Sequence, residues 1–149
     1  MALSDFIPTD QQERIAQAIT EAEKCTSGEI VVHVTPRCRR APMDGAKRIF
    51  KKFGLQNTER RNAVLIYIAY EDHKLAVIGD KGIYDNAPAD IWNEDVALLT
   101  DRIASGRQVD GLCEVIARIG QRLSHYFPSV RDDVNEISND VQYSEDDDD

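Results

Sequence analysis

The eight residues Ala63-Val64-Leu65-Ile66-Tyr67-Ile68-Ala69-Tyr70 are almost continuously apolar. So short a run without polar alternation reads as a strand covered on both faces, in the middle of a sheet. Glu71-Asp72-His73 is a brief polar turn and Lys74-Leu75-Ala76-Val77-Ile78 returns, so the two runs predict a hairpin. Upstream, Glu29-Ile30-Val31-Val32-His33-Val34-Thr35 is rich in β-branched residues, which favour a pleated strand, and Pro36 ends it. Between these strands a helix is expected from about Met43 to Phe53. Ala46, Ile49, Phe50 and Phe53 form its inner face, with Lys47, Arg48, Lys51 and Lys52 outside.

Further out the period changes to three and four. Ile15, Ala18, Ile19 and Ala22 predict a helix over about Thr9 to Cys25, stopped by Thr26-Ser27-Gly28. After a loop over Gly79 to Pro88, Trp92, Val96, Leu99 and Ile103 mark a helix starting near Pro88 and Asp90 and ending at Ser105-Gly106. Val109, Leu112, Val115, Ile116, Ile119 and Leu123 mark a last helix over Gln108 to Tyr126, which Pro128 closes. The order helix, strand, helix, strand, strand, helix, helix predicts an α/β protein. Its architecture is a three-layer α/β/α sandwich with a small mixed β-sheet flanked by helices, the first two strands parallel and the third antiparallel.

The 149 residues suit one domain, read here as 1–139, followed by an acidic tail, 140–149, expected to be disordered. No apolar run approaches the roughly 20 residues of a membrane span. The first residues resemble no secretory signal, so a cytoplasmic location is expected; a monomer is expected as well. Cys25, Cys38 and Cys113 are odd in number and widely spaced, which argues for free thiols over a disulfide framework or a zinc site. The net charge of −9 is unevenly spread: Arg37 to Arg61 holds nine basic and two acidic residues, a local +7, while Ser129 to Asp149 nets −8.

Two groups of residues carry candidate chemistry. Asp80, Asp85 and Asp90 recur every five residues, and carboxylates crowded on one loop suit a hard cation, Ca²⁺ or Mg²⁺. The bland alternative has Asp90 capping a helix, Asp85 in a turn and Asp80 in water. Lys47, Arg48, Lys51, Lys52, Arg61 and Lys81 form the second group, suited to an anionic partner. Without interleaved exposed aromatics, and with an acidic total, nucleic acid is not expected. No Ser/His/Asp order, nucleophile elbow or phosphate-binding glycine loop is present.

Several segments together resemble the TPM domain family. They are Thr26-Ser27-Gly28-Glu29 before the first strand, Arg61-Asn62-Ala63-Val64-Leu65-Ile66, Val77-Ile78-Gly79-Asp80-Lys81-Gly82-Ile83, Ser105-Gly106 through Asp110-Gly111-Leu112, Tyr126-Phe127-Pro128 and Asn135-Glu136-Ile137. The resemblance spans Thr9 to Asn139. It implies an α/β/α sandwich that binds a divalent cation and, in a plant relative, has acid phosphatase activity. Carried over position by position, it adds Asn62 to Asp80, Asp85 and Asp90 as metal ligands. The chain departs from the family pattern at Arg61, where many relatives are acidic, at Ala63, where they have glycine, and at Gly79-Asp80-Lys81-Gly82, where they have Gly-Tyr-Gly. Two functions are therefore expected. One is a cation-binding domain with phosphatase-like activity on a phosphorylated small molecule, and the other a noncatalytic module binding an acidic protein or anionic surface through segment 37–61.

Overall fold

The computed structural model describes residues 2–129 and 141–144. Helix α1, Leu3–Phe6, precedes α2, Thr9–Glu23, and strand β1, Glu29–Thr35. Helix α3, Pro42–Lys52, and a 3-10 turn, Leu55–Asn57, lead to the hairpin of β2, Ala63–Ala69, and β3, Lys74–Gly79. A one-turn helix α4, Lys81–Tyr84, then α5, Asn93–Ala104, and α6, Gln108–Tyr126, follow, and β4 is Gln142–Tyr143. The sheet order is β3-β2-β1-β4. Strands β1 and β2 are parallel with Glu29 opposite Ala63, β3 is antiparallel to β2 with Gly79 opposite Val64, and β4 is parallel to β1 with Tyr143 opposite Val34.

Strand alternation divides the sheet's side chains between two cores. Ile30, Val32, Val34, Val64, Ile66, Ile68 and Val77 face α2, α5 and α6, where Ile15, Ile19, Leu99 and the Leu112–Leu123 stripe pack on them. Val31, Leu65, Tyr67, Ala76 and Ile78 face Ala46, Ile49 and Phe50 of α3. Every residue of β2 is buried, as its unbroken apolar run requires. Helices α2 and α6 approach closely at Gly120, where an added Cβ would stand 2.7 Å from the Ala22 Cβ.

The sequence reading places β1, β2, β3 and the long helices within one or two residues, except at α5. That helix begins at Asn93 rather than near Pro88 or Asp90, because Ile91 N–H bonds to Pro88 O and Asn93 N–H to Asp90 O, turning the chain first. Helix α4 lies in the stretch read as loop, and four residues are too few for a periodic signal. Gln142 and Tyr143, assigned to the tail, pair with β1, and Ser144 N–H continues the ladder to Val34 O at 2.9 Å. Residues 140 and 145–149 of that tail lie outside the described residues. No described helix is long and apolar enough to cross a membrane.

Candidate functional site

Helix α3 presents one face to β3 through Ala46, Ile49 and Phe50, and the spacing of Met43, Lys47, Phe50 and Lys51 puts these four along the border of that contact. They form one bank of a groove of about 580 Å³. The opposite bank is Gly79, Asp80, Tyr84 and Ala89, with Gln56 and Arg61 closing one end. Met43 and Tyr84, two of the three exposed large hydrophobic residues among those described, lie in it. Three cations, Lys47, Lys51 and Arg61, share the groove with one acid, Asp80.

The closed end is built by backbone constraints. Arg61 has φ 52°, a left-handed conformation that reverses the chain just before β2. Its guanidinium then reaches the Asp80 carboxylate through Nε at 2.6 Å and Nη2 at 2.9 Å, a bidentate pair. Asp80 is buried, and it also caps α4 by accepting from Lys81 N–H at 2.7 Å. The Asp80 side chain raises the Arg61 pKa, first by hydrogen bonding and then by its charge, which keeps the guanidinium cationic. Gly82 lets α4 seat on this corner: its N–H bonds to Arg61 O at 2.8 Å, and a Cβ there would stand 2.3 Å from Arg60 O.

The candidate cation ligands are distributed differently. Asp85 is exposed and ion-paired with Lys81 at 2.8 Å, four residues apart on the same turn. Asp90 is exposed and borders a separate cleft between α5 and α6. Asn62 is buried, with its amide donating to Ser27 Oγ at 3.3 Å. Thus the four do not assemble as a donor set in this arrangement, and Asp80 is engaged by Arg61 and the Lys81 amide. Among the described residues no group of three or more His, Cys, Asp or Glu side chains could hold a metal ion.

Of the candidate anion-binding residues, Lys47, Lys51 and Arg61 converge on the groove. Lys52 instead places its ammonium 5.7 Å from the Phe53 ring centroid, and Lys81 binds Asp85. Arg48 does not line the groove. Sequence reasoning missed the apolar half, Met43, Tyr84 and Ala89. The available signal was the spacing of Met43, Lys47, Phe50 and Lys51, which marks one helix border, but the bank facing it comes from a loop. It also missed a buried charge, Asp95, which is fully enclosed and bonded by Arg118 at 3.1 Å and by Arg122, tying α5 to α6. Their offset of four places both arginines on one side of α6.

A family model described as the TPM domain matches residues 2–122. The solution structure of the BA42 protein from the psychrophilic bacterium Bizionia argentinensis is similar, with 35% identity and a TM-score of 0.84 over 91% of this chain and 93% of that one. The N-terminal domain of a protein from P. gingivalis matches in fold at 16% identity and a TM-score of 0.64, over 80% of this chain and 77% of that one. No curated protein matches the sequence significantly.

Proposed function

The chain belongs to the TPM domain family, and on that premise we propose that it acts as a binding domain whose ligand surface is the groove between α3 and the β3–α4 corner, taking an anionic group. The observation that carries this reading is the convergence of Lys47, Lys51 and Arg61 on one apolar-floored groove whose single acid is already paired with Arg61. An anion there meets two exposed lysines and, at the closed end, a guanidinium held in place by Asp80. Desolvation by Phe50, Ile78 and Tyr84 strengthens the attraction relative to a flat surface. An acidic protein segment and a phosphorylated small molecule share this chemistry.

The test is an amide NMR titration with phenyl phosphate and with a glutamate-rich peptide. Saturable shifts at residues 47, 51, 61 and 79–84, weakening with added salt and lost when Lys47→Glu and Lys51→Glu are combined, support the reading. Shifts unaffected by that charge reversal overturn it.

A second reading, divalent-cation binding with phosphatase-like turnover, is favoured by the buried Asp80 carboxylate at a strand end. It requires Arg61 to leave Asp80. Titration with Ca²⁺ and with Mg²⁺ tests it. Saturable shifts over residues 79–95 and near Asn62, enlarged in Arg61→Ala, support a site, and unchanged spectra at millimolar cation overturn it.

A further inference from the structure

The groove continues beyond its charged end. Met43, Tyr84 and Ala89 also border a second cavity of about 400 Å³, whose floor is Leu75, Ala76 and Val77 and whose far wall includes Trp92 and Val96. Together the two cavities follow β3, and β3 is an edge strand. Antiparallel pairing fixes which of its peptide groups face outward. Asp80 N–H bonds to Ala63 O at 2.9 Å, so Ala76 and Ile78 exchange hydrogen bonds with β2, while Leu75, Val77 and Gly79 point the other way. The outward amide of Gly79 is capped by the Tyr84 hydroxyl at 2.9 Å. No bond to Leu75 or Val77 N–H occurs outside the strand pairing among the described residues. In addition, the Trp92 indole N–H is buried, with the residue 3% exposed, and has no acceptor among the described residues. A buried donor left this way is an unmet hydrogen bond.

From these observations we propose that the edge of β3, flanked by α3 and the Tyr84–Trp92 segment, accepts an extended peptide of a partner protein as an added strand, with apolar residues along Leu75–Val77 and acidic residues at the Gly79 end. This rests on the anionic-groove reading and adds the class of ligand and its mode of binding. Leu75 and Val77 supply two N–H donors and two carbonyl acceptors, the main-chain contacts of strand addition. Specificity comes from position. The apolar part of the peptide lies against Met43, Tyr84 and Trp92, and its acidic part reaches Lys47, Lys51 and Arg61.

The experiment uses the full chain labelled with ¹⁵N. Its probes are two blocked peptides of alternating valine and threonine, carrying three glutamates at the N-terminal or the C-terminal end, with phenyl phosphate as the anion alone. One of the two peptides is expected to bind, to slow exchange of the Leu75 and Val77 amides at least about tenfold, and to shift the Trp92 indole proton. Its preference over the other gives the strand direction. Leu75→Pro, which removes an outward N–H on an edge strand where proline is tolerated, abolishes peptide binding but leaves phenyl phosphate shifts at residues 47 and 51. If that variant does not fold, Lys47→Glu with Lys51→Glu, both exposed, weakens peptide binding by at least about tenfold. Phosphate binding without amide protection by either peptide overturns strand addition and leaves the anionic groove standing. Absence of both responses overturns both. Protection of Leu75 and Val77 that grows with protein concentration alone assigns the edge to a second copy and overturns the partner-peptide proposal.

Discussion

Gly82→Ala sets two effects against each other. Gly82 lies within α4, where alanine is favoured over glycine by about 1 kcal/mol on helix propensity alone. Tertiary contact opposes it. A Cβ would stand 2.3 Å from Arg60 O and 2.6 Å from Arg61 O, and both obstacles are backbone, which cannot rotate aside as a side chain can. Relief requires α4 to move away by roughly 1 Å, which lengthens the 2.8 Å bond from Gly82 N–H to Arg61 O. Overpacking of this kind costs about 1–3 kcal/mol and the weakened hydrogen bond about 1 more. The contact therefore outweighs propensity, and a net loss of about 2 kcal/mol is expected, a fall in Tm of about 4–8 °C for a chain of this size. The displacement also draws Asp80 from Arg61 and loosens the closed end of the groove, so phenyl phosphate binding weakens in the folded variant. The assay is thermal unfolding followed by circular dichroism, with the anion titration run on the same sample. Gly106→Ala is the control: Gly106 has φ 73° with nothing within 4 Å, so only backbone strain of about 1 kcal/mol applies and anion binding is unchanged. A Gly82→Ala protein as stable as the parent, or more so, refutes the reasoning.

Other outcomes follow from single sites. Asp95→Ala removes a fully buried carboxylate between Arg118 and Arg122, and because both arginines retain some contact with water the cost is expected at about 2–3 kcal/mol, measured by urea unfolding; a loss under about 0.5 kcal/mol shows the network to be dispensable. Burial pushes the Tyr143 hydroxyl up to about 12. Its folded pKa thus exceeds the unfolded value near 10, so its contribution is fully present below about pH 10 and is lost as pH rises toward 12. The difference in phenolate absorbance between the parent and Tyr143→Phe should show this late titration, and a midpoint near 10 would mean that β4 does not shelter the ring. Burial likewise raises the Cys113 pKa, so alkylation near pH 8 should label exposed Cys25 first, half-buried Cys113 more slowly and buried Cys38 last, as read by mass spectrometry; Cys113 reacting as fast as Cys25 contradicts that burial.

The order of elements was legible because it rests on local chemistry. An unbroken apolar run such as Ala63–Tyr70 has few alternatives to a doubly covered strand, and the six apolar positions from Val109 to Leu123 define a helix stripe long enough to be unambiguous. Basic character along α3 was legible for the same reason. What the chain alone did not disclose is how far apart residues close in sequence end up. Asp80, Asp85 and Asp90 share a stretch of eleven residues, yet one is locked to Arg61, one to Lys81, and one faces another cleft, because α4 and then the turn from Pro88 to Asn93 redirect the chain between them.

The sequence by itself determined the three longer strands, the long helices, the family and the two pools of charge, since each depends on residue type and spacing along a few turns or one strand. Only the tertiary structure decided that Lys47, Lys51 and Arg61 meet Met43 and Tyr84 beside β3, the edge strand among the described residues. That juxtaposition depends above all on the packing of α3 against β3, where contacts between residues more than twenty positions apart leave no period for a sequence to display.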